Sequence, residues 1–244
     1  MISVIIPTYN HGKALWRCLL SLAEQSVLPG EVIIIDDEST DGTEGYVARY
    51  LKNPCLSHLR MSYKTIKHAG APTARNTGAA LATGDYLLFL DADIICQPEM
   101  FALCADALAH APAASYAYGA FRFGRKLFHS QKFDAEKLKQ GNYIHTSALM
   151  RKDHFPGFDE SLKRFQDWDL WLTMLERGHT GVFIDQVLFR ARVGLFRKGI
   201  SQWKPKLVYK LWQTTTEYFD WAPRWYRAYQ QARQLVMLKH KLSL

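Results

Sequence analysis

Cysteine is scarce in this chain. Cys18, Cys55, Cys96 and Cys104 are the only four in 244 residues, with no C-x-x-C pair and no histidine pair at zinc-finger spacing beside them. The pattern excludes a disulfide framework and a zinc module, and free thiols in a reducing compartment are expected. Long apolar runs are also missing. No uncharged stretch approaches the ~20 residues of a spanning helix. The first residues lack the basic start and small-residue cleavage site of a secretory leader, so a soluble, cytoplasmic chain is expected. Three glycine-based templates are absent as well. The first apolar run is followed by Pro7-Thr8-Tyr9-Asn10 instead of GxGxxG, which argues against a dinucleotide fold. The GxxxxGK[ST] loop of ATPases and the GxSxG elbow of serine hydrolases do not occur.

What is present is ordinary globular material, with 48% apolar and 22% charged residues. Disordered and fibrous chains are excluded on that composition. One core at this length buries roughly 70–75% of the unfolded surface, so no covalent staple is needed. The net charge of +8 is uneven: residues 1–114 carry −4, residues 115–201 carry +6 and residues 202–244 carry +6. An acidic front and a basic back imply different partners. A basic tail suits nucleic acid, anionic lipid or phosphorylated ligands.

Along the first half, apolar runs and helical patterns alternate. Residues 2–6 form a β-branched run that Pro7 closes. Residues 14–25 put Leu15, Cys18, Leu19 and Leu22 on one helical face. A second buried strand is expected at 31–35, then a polar turn and a helix through Tyr50. A weaker strand is expected near 59–63, a helix at 72–82, a strand at 85–90 and a helix at 98–109. Val- and Ile-rich strands spaced by helices predict a mostly parallel sheet covered on both faces. In such sheets ligands bind at the carboxyl ends of the strands. Later the pattern turns aromatic. Tyr116, Tyr118, Phe121 and Phe123 alternate, as on a strand of a mixed sheet, before a helix at 166–177 and one or two strands at 180–190.

Four constellations carry chemistry. Residues 88–93 (LFLDAD) end a buried strand in Asp91 and Asp93. Such a pair fits a hard divalent cation shared with substrate phosphates, or a solvated turn. Residues 36–43 (DDESTDGT) also follow a strand. A carboxylate there can accept a bond from a ring N–H, as uracil offers, while Asp41 or Thr43 reads as a helix cap. In residues 74–78 (ARNTG), Arg75 can approach a phosphate, pair with Asp37 or Asp93, or be a plain surface residue. Residues 158–160 (FDE) precede 165–172 (FQDWDLWL), where Asp167 opens an apolar helix as either an N-terminal cap or a general base.

The order and spacing of residues 3–10 (SVIIPTYN), 36–43, 74–78, 84–93 (GDYLLFLDAD), 157–160 (GFDE) and 166–172 (QDWDLWL) resemble glycosyltransferase family 2 over roughly residues 2–201. The resemblance implies a GT-A fold: α/β, with a Rossmann-like, mostly parallel central sheet flanked by helices. It implies an inverting, metal-dependent transfer of one sugar from a nucleotide-sugar, commonly UDP-linked, to a saccharide or lipid-linked saccharide hydroxyl in cell-surface glycan assembly. By matched position, Thr8, Tyr9 and Asn10 are similar to the loop bordering the nucleotide. Asp37 resembles the carboxylate that reads uracil, Arg75 the basic residue beside the nucleotide, and Asp91 the ribose-side acid. Asp93 resembles the ligand of a divalent metal (Mn2+ or Mg2+), and Asp167 the catalytic base. The pattern departs in three places. Gln166 stands where many relatives have Glu. Gly194 stands where many have a histidine that would be a second metal ligand. Trp221 precedes Arg224-Trp225 where processive synthases have Gln in QxxRW.

The expected organisation is a glycosyltransferase domain over 1–201, with a nucleotide-binding half (1–114) and an acceptor-binding half (115–201), and a helical, basic, aromatic extension over 202–244. The extension holds Trp203, Trp212, Trp221 and Trp225, with Lys and Arg interleaved and two acids. Two readings stand: peripheral docking at the inner membrane face, where Trp, Tyr and basic residues suit anionic headgroups, or an arm packed on the domain. The site motifs give nucleic acid no role. Two rival functions are a sugar-1-phosphate nucleotidyltransferase, against which Thr8-Tyr9-Asn10 argues, and a non-catalytic nucleotide or membrane binder that kept the fold.

Overall fold

Strand β1 (Ile2–Thr8) is buried along its whole length, as befits an apolar run covered on both faces. The computed structural model describes residues 1–191, Trp212 and 222–242. The expected end of β1 at Pro7 is corrected, because the strand runs through it. In a parallel ladder, alternate residues bond to opposite neighbours. Ile5 O accepts from Leu90 N on the β4 side, while Thr8 O accepts from Asp37 N on the β2 side. Pro7 therefore faces β4 (Tyr86–Phe89), whose ladder with β1 has ended at Ile5, and its missing N–H costs no bond.

Strands β2 (Glu31–Asp36), β3 (Met61–Thr65) and β4 lie parallel to β1 in the order β3-β2-β1-β4. The sheet continues through β8 (Leu149–Arg151), β6 (Ala114–Phe123), β9 (Thr180–Ala191) and β5 (Ile94–Cys96), with β7 (Lys126–Phe128) on β6. Here β4–β8, β8–β6, β9–β5 and β6–β7 are antiparallel, and only β6–β9 is parallel. The parallel character is thus confined mainly to the first half.

Helices α1 (Gly12–Ala23) and α4 (Met100–His110) cover one face, packing on Val4, Ile6, Val32, Ile34 and Leu88. Helix α2 (Thr43–Tyr50) lies beside α1. Ile5, Ile33, Ile35, Leu87 and Phe89 point to the other face, covered by α3 (Ala71–Leu81) and by α6 (Gln166–Glu176) with Trp168 and Trp171. A short α5 (Ala135–Gln140) rests on α6. Gly78 allows α3 to approach closely, since a Cβ there would lie 2.3 Å from Ile5 Cγ2. The four cysteines are free, and burial pushes the Cys96 and Cys104 thiols up to about 12, as inert core residues.

The described part of the extension packs on the domain. Helix α7 (Arg224–Lys239) buries Tyr226, Val236 and Met237, the last two in the core cluster that holds Trp168 and Trp171. Polar contacts clamp its end to α6. His240 Nε2 meets Asp169 Oδ1 and Nδ1 meets Glu176 Oε1, both at 2.8 Å. Lys239 Nζ reaches Asp159 and Asp169 at 2.7 Å. Burial alone would lower the His240 pKa, but its bonds to Asp169 and Glu176 outweigh that and raise it. The Lys239 bond, with help from Ser161, holds Asp159 down to about 2. Trp203, Trp221, Gly194 and the 201/202 boundary lie outside the described residues. Among the described residues, no helix is long and apolar enough to cross a membrane.

Candidate active site

The parallel neighbours β1, β2 and β4 end at one edge of the sheet, so Thr8, Asp36-Asp37 and Asp91 emerge together. The loops there are cross-linked. Asn10, at a left-handed φ of 56°, accepts through Oδ1 from Thr40 N (2.7 Å) and Asp41 N (3.1 Å). Asp41 accepts from Thr43 N at 3.0 Å and Gly12 N at 3.3 Å, clipping the starts of α2 and α1 together, but the expected cap is corrected: the N-cap of α2 is Gly42, at φ +79°, and neither Asp41 nor Thr43 occupies that position. Asp36 is engaged by Tyr63 Oη (2.5 Å) and Ser39 N (2.9 Å).

Asp37 is buried and organises the lead into α3. Its two carboxylate oxygens accept from Ala69 N (2.8 Å) and Gly70 N (3.0 Å). His68 Nδ1 lies 2.9 Å from Oδ2, and the same ring packs on exposed Tyr9 with centroids 4.6 Å apart. Gly70, at φ +97°, makes the turn into α3.

The expected partners of Arg75, Asp37 or Asp93, are corrected. Its Nη2 donates to Asp91 Oδ1 and its Nη1 to Gln166 Oε1, each at 2.9 Å, and its guanidinium carbon sits 5.3 Å from the centroid of the Phe158 ring. The cause is packing: Gly78 seats α3 against β1, so Arg75, one turn earlier, overhangs the end of adjacent β4. A guanidinium fork can then hold a carboxylate and an amide at once. Arg75 is only 7% exposed and its Nε makes no hydrogen bond; Thr8, at 3%, likewise has an unpartnered Oγ1. Such buried donors are uncommon unless a ligand or water meets them.

Asp93 follows Asp91 in a tight turn closed by Ile94 N to Asp91 O at 3.0 Å, and is buried. Burial pushes the Cys18 thiol up, with Cys96, Asp93 and Asp91 adding to the shift, so both acids lie near α1 as well. Among the described residues no three His, Cys, Asp or Glu side chains cluster to hold a metal ion by themselves.

Asp167 is the second residue of α6. Oδ1 accepts from Trp168 N (2.9 Å) and Oδ2 from Asn142 Nδ2 (2.7 Å). Desolvation raises its pKa. The Trp168 amide and the Arg75 charge oppose the rise, and the Asp91 charge adds to it. Arg75, Asp91, Gln166 and Asp167 therefore form one group. Thr8 and Asp37 share its sheet edge, joined by Asp37 N to Thr8 O at 2.9 Å.

The G-F-D-E segment is a brace. Asn76 Oδ1 accepts from Phe158 N and its Nδ2 donates to Glu160 Oε1, both at 2.8 Å, while Thr73 donates to Glu160 at 2.9 Å. Glu160 thus fixes α3 and Asp159 fixes α7. Sequence reasoning missed His68 and Asn142, which sit in loops without a pattern.

A family model described as "Glycosyl transferase family 2" matches residues 3–170. A chondroitin synthase of Escherichia coli is 29% identical over 188 residues, 73% of this chain and 27% of that protein. The chain covers about a quarter of two E. coli relatives, 27% and 28%, and 62% of an uncharacterized glycosyltransferase of Haemophilus influenzae. Among solved structures, S. aureus TarS 1–349 in complex with UDP-GlcNAc superposes with a TM-score of 0.70 at 21% identity, over 87% of this chain and 64% of that one. The mannosyltransferase PcManGT from Pyrobaculum calidifontis, in complex with GDP-Man and Mn2+, gives a TM-score of 0.64 at 20% identity, over 98% of this chain and 70% of that one.

Proposed function

Since the chain belongs to glycosyltransferase family 2 and has the GT-A fold, we propose that it transfers a single sugar, with inversion, from a UDP-sugar to a saccharide hydroxyl during cell-surface glycan assembly. The observation that carries the reading is the Arg75 bridge, which ties Asp91 on β4 to Gln166 beside Asp167 on α6. Asp91, one of the two acids suited to a diphosphate, and Asp167, the carboxylate suited to proton removal, thereby belong to one group whose charges interact.

In this reading Thr8 Oγ1 and Arg75 Nε meet the nucleotide, and Tyr9 and Asn10 border it. Asp37 keeps a lone pair on Oδ1 beyond its two backbone bonds and the His68 contact on Oδ2, and with it accepts the uracil N–H. Asp91 takes the ribose side. Asp167 removes the proton of the attacking hydroxyl as its oxygen bonds to the anomeric carbon and the bond to the diphosphate breaks on the opposite face. Asp93 would hold Mn2+ or Mg2+, and the donor set fits: hard cations of this kind take one or two carboxylates and complete their shell with phosphate and water oxygens. When bound, the cation neutralises charge on the departing diphosphate.

A thermal-shift panel of nucleotide-sugars tests donor and cation together. UDP-sugars with Mn2+ are expected to raise Tm more than either alone, and Asp93→Ala is expected to remove the metal-dependent part. An equal Mn2+ effect in that variant would take Asp93 out of the site.

Peripheral membrane contact is a second proposal, for α7. Its outer stripe exposes Arg224, Arg227, Leu235 and Leu238, and the helix has no acid; Leu238 is 75% exposed. Because α7 is part of the core, deleting it would confound a test. In sedimentation with phosphatidylserine vesicles, Leu235→Glu/Leu238→Glu is expected to lower bound protein at least fivefold. Equal pelleting of variant and native protein would exclude this face.

A further inference from the structure

Asn142 stands in the loop between α5 and β8, where the sequence offers no pattern. The loop is gripped by the helix that carries Asp167. Trp168 Nε1 donates to Leu138 O at 2.7 Å and Trp171 Nε1 to Ile144 O at 2.9 Å. Between these two anchors Asn142 returns a bond to α6: its Nδ2 donates to Asp167 Oδ2 at 2.7 Å. Its own Oδ1 accepts from Ile144 N at 3.0 Å, which fixes the amide so that the N–H side faces the carboxylate. We infer that Asn142 is a positioning residue for the base, holding Asp167 by Oδ2 in one orientation and in its ionised form.

The physical argument has two parts. With Trp168 N on Oδ1 and Asn142 on Oδ2, the carboxylate has a donor on each oxygen and cannot rotate without losing both bonds. Its remaining lone pairs then point in fixed directions, as an attacking hydroxyl requires. The second part is charge. Burial favours the neutral acid and Asp91 adds to that, while Arg75 and the hydrogen-bond donors favour the anion. The Asn142 amide adds a further donor by its geometry, 2.7 Å from Oδ2, and a hydrogen bond to the charged form of a carboxylate favours that form without neutralising it.

This inference rests on the reading of Asp167 as the base, and the test separates the two. Protein labelled with 13C at the aspartate carboxyl carbon is titrated by NMR, the Asp167 signal being assigned by its loss in Asp167→Asn. No substrate is needed. Asn142→Ala is expected to move the Asp167 midpoint up by about one pH unit, roughly a tenfold change in proton affinity. Asn142→Asp retains an acceptor for Ile144 N and so guards against misfolding. It replaces the donor with a second carboxylate, and the pair is expected to titrate in two separated steps, the upper one well above the native midpoint. Midpoints within 0.3 unit of native in both variants, at about that precision of an aspartate titration, would overturn the inference. If the midpoints move as expected but Asp167→Asn leaves sugar transfer intact, the base reading has failed and the contact is only structural.

Discussion

Replacing Asp167 by asparagine is expected to lower sugar transfer by about 10²–10⁴-fold, the size of a lost general base. UDP affinity is expected to stay within about threefold, because proton removal acts on the hydroxyl and not on the nucleotide. The asparagine is nearly isosteric and keeps an oxygen for the Trp168 amide, which in the native chain bonds Oδ1 at 2.9 Å. Released UDP at saturating donor and acceptor measures the first quantity, and isothermal titration with UDP the second. The sign of the pH effect follows from the environment. Burial raises the Asp167 pKa, so the acid keeps its proton to a higher pH than an exposed aspartate. A base must be ionised, so the acid limb of kcat/KM lies above the usual carboxylate range, and activity falls as pH drops through it. The variant loses that limb. A loss of UDP binding comparable to the loss of transfer would make Asp167 structural.

Arg75→Ala has the second large effect, on stability and activity together. The guanidinium is buried, and it joins Asp91, Gln166 and the Phe158 face. Removing one member of a fully buried pair costs about 3–5 kcal/mol. Asp91 is 38% exposed in its side chain, so its carboxylate is partly hydrated, and the discounted figure is about 2–3 kcal/mol. For a chain of this size that corresponds to a Tm lowered by roughly 5–10 °C. Transfer is expected to fall at least tenfold more at saturating substrate than the residual folded fraction explains, because α6 is no longer tied to the end of β4. Arg75→Lys separates the two effects. Lysine keeps the charge but cannot fork between a carboxylate and an amide. It is expected to restore most of the Tm and little of the turnover. Full activity in Arg75→Lys would reduce the bridge to a charge effect.

Asp93 and the UDP-sugar, the outer stripe of α7, and the Asn142 contact bear on separate parts of the same reading, so failure of one leaves the others standing. The buried side of α7 carries the packed-arm reading of the extension, and the membrane proposal rests on the outer stripe alone. Tyr226, Val236 and Met237 are core, while Leu235 and Leu238 on the same helix face solvent.

The sequence alone determined the alternation of strands and helices through residue 110, apart from the three-residue β5 (Ile94–Cys96), which is too short to show a period. Buried parallel strands must be continuously apolar and covering helices must carry a stripe, so both periods are written locally. It also determined where to look, because apolar strands that stop at Asp36-Asp37 and Asp91 mark the ligand edge of such a sheet. The order and spacing of the short motifs carried the family. Local pattern misjudged Pro7, since whether a proline ends a strand depends on where the neighbouring ladder stops. The partners of Arg75 were decided only by the tertiary structure. So were the service of Asn10 and Asp41 as loop clips, the grip of Asn142 on Asp167 and the docking of α7. These contacts join residues 91, 25 and 71 positions apart, as in Arg75–Gln166, Asn142–Asp167 and Asp169–His240. A side chain that can accept or donate in many directions does not encode its partner; that is fixed when helices seat on the sheet at distances a glycine such as Gly78 permits.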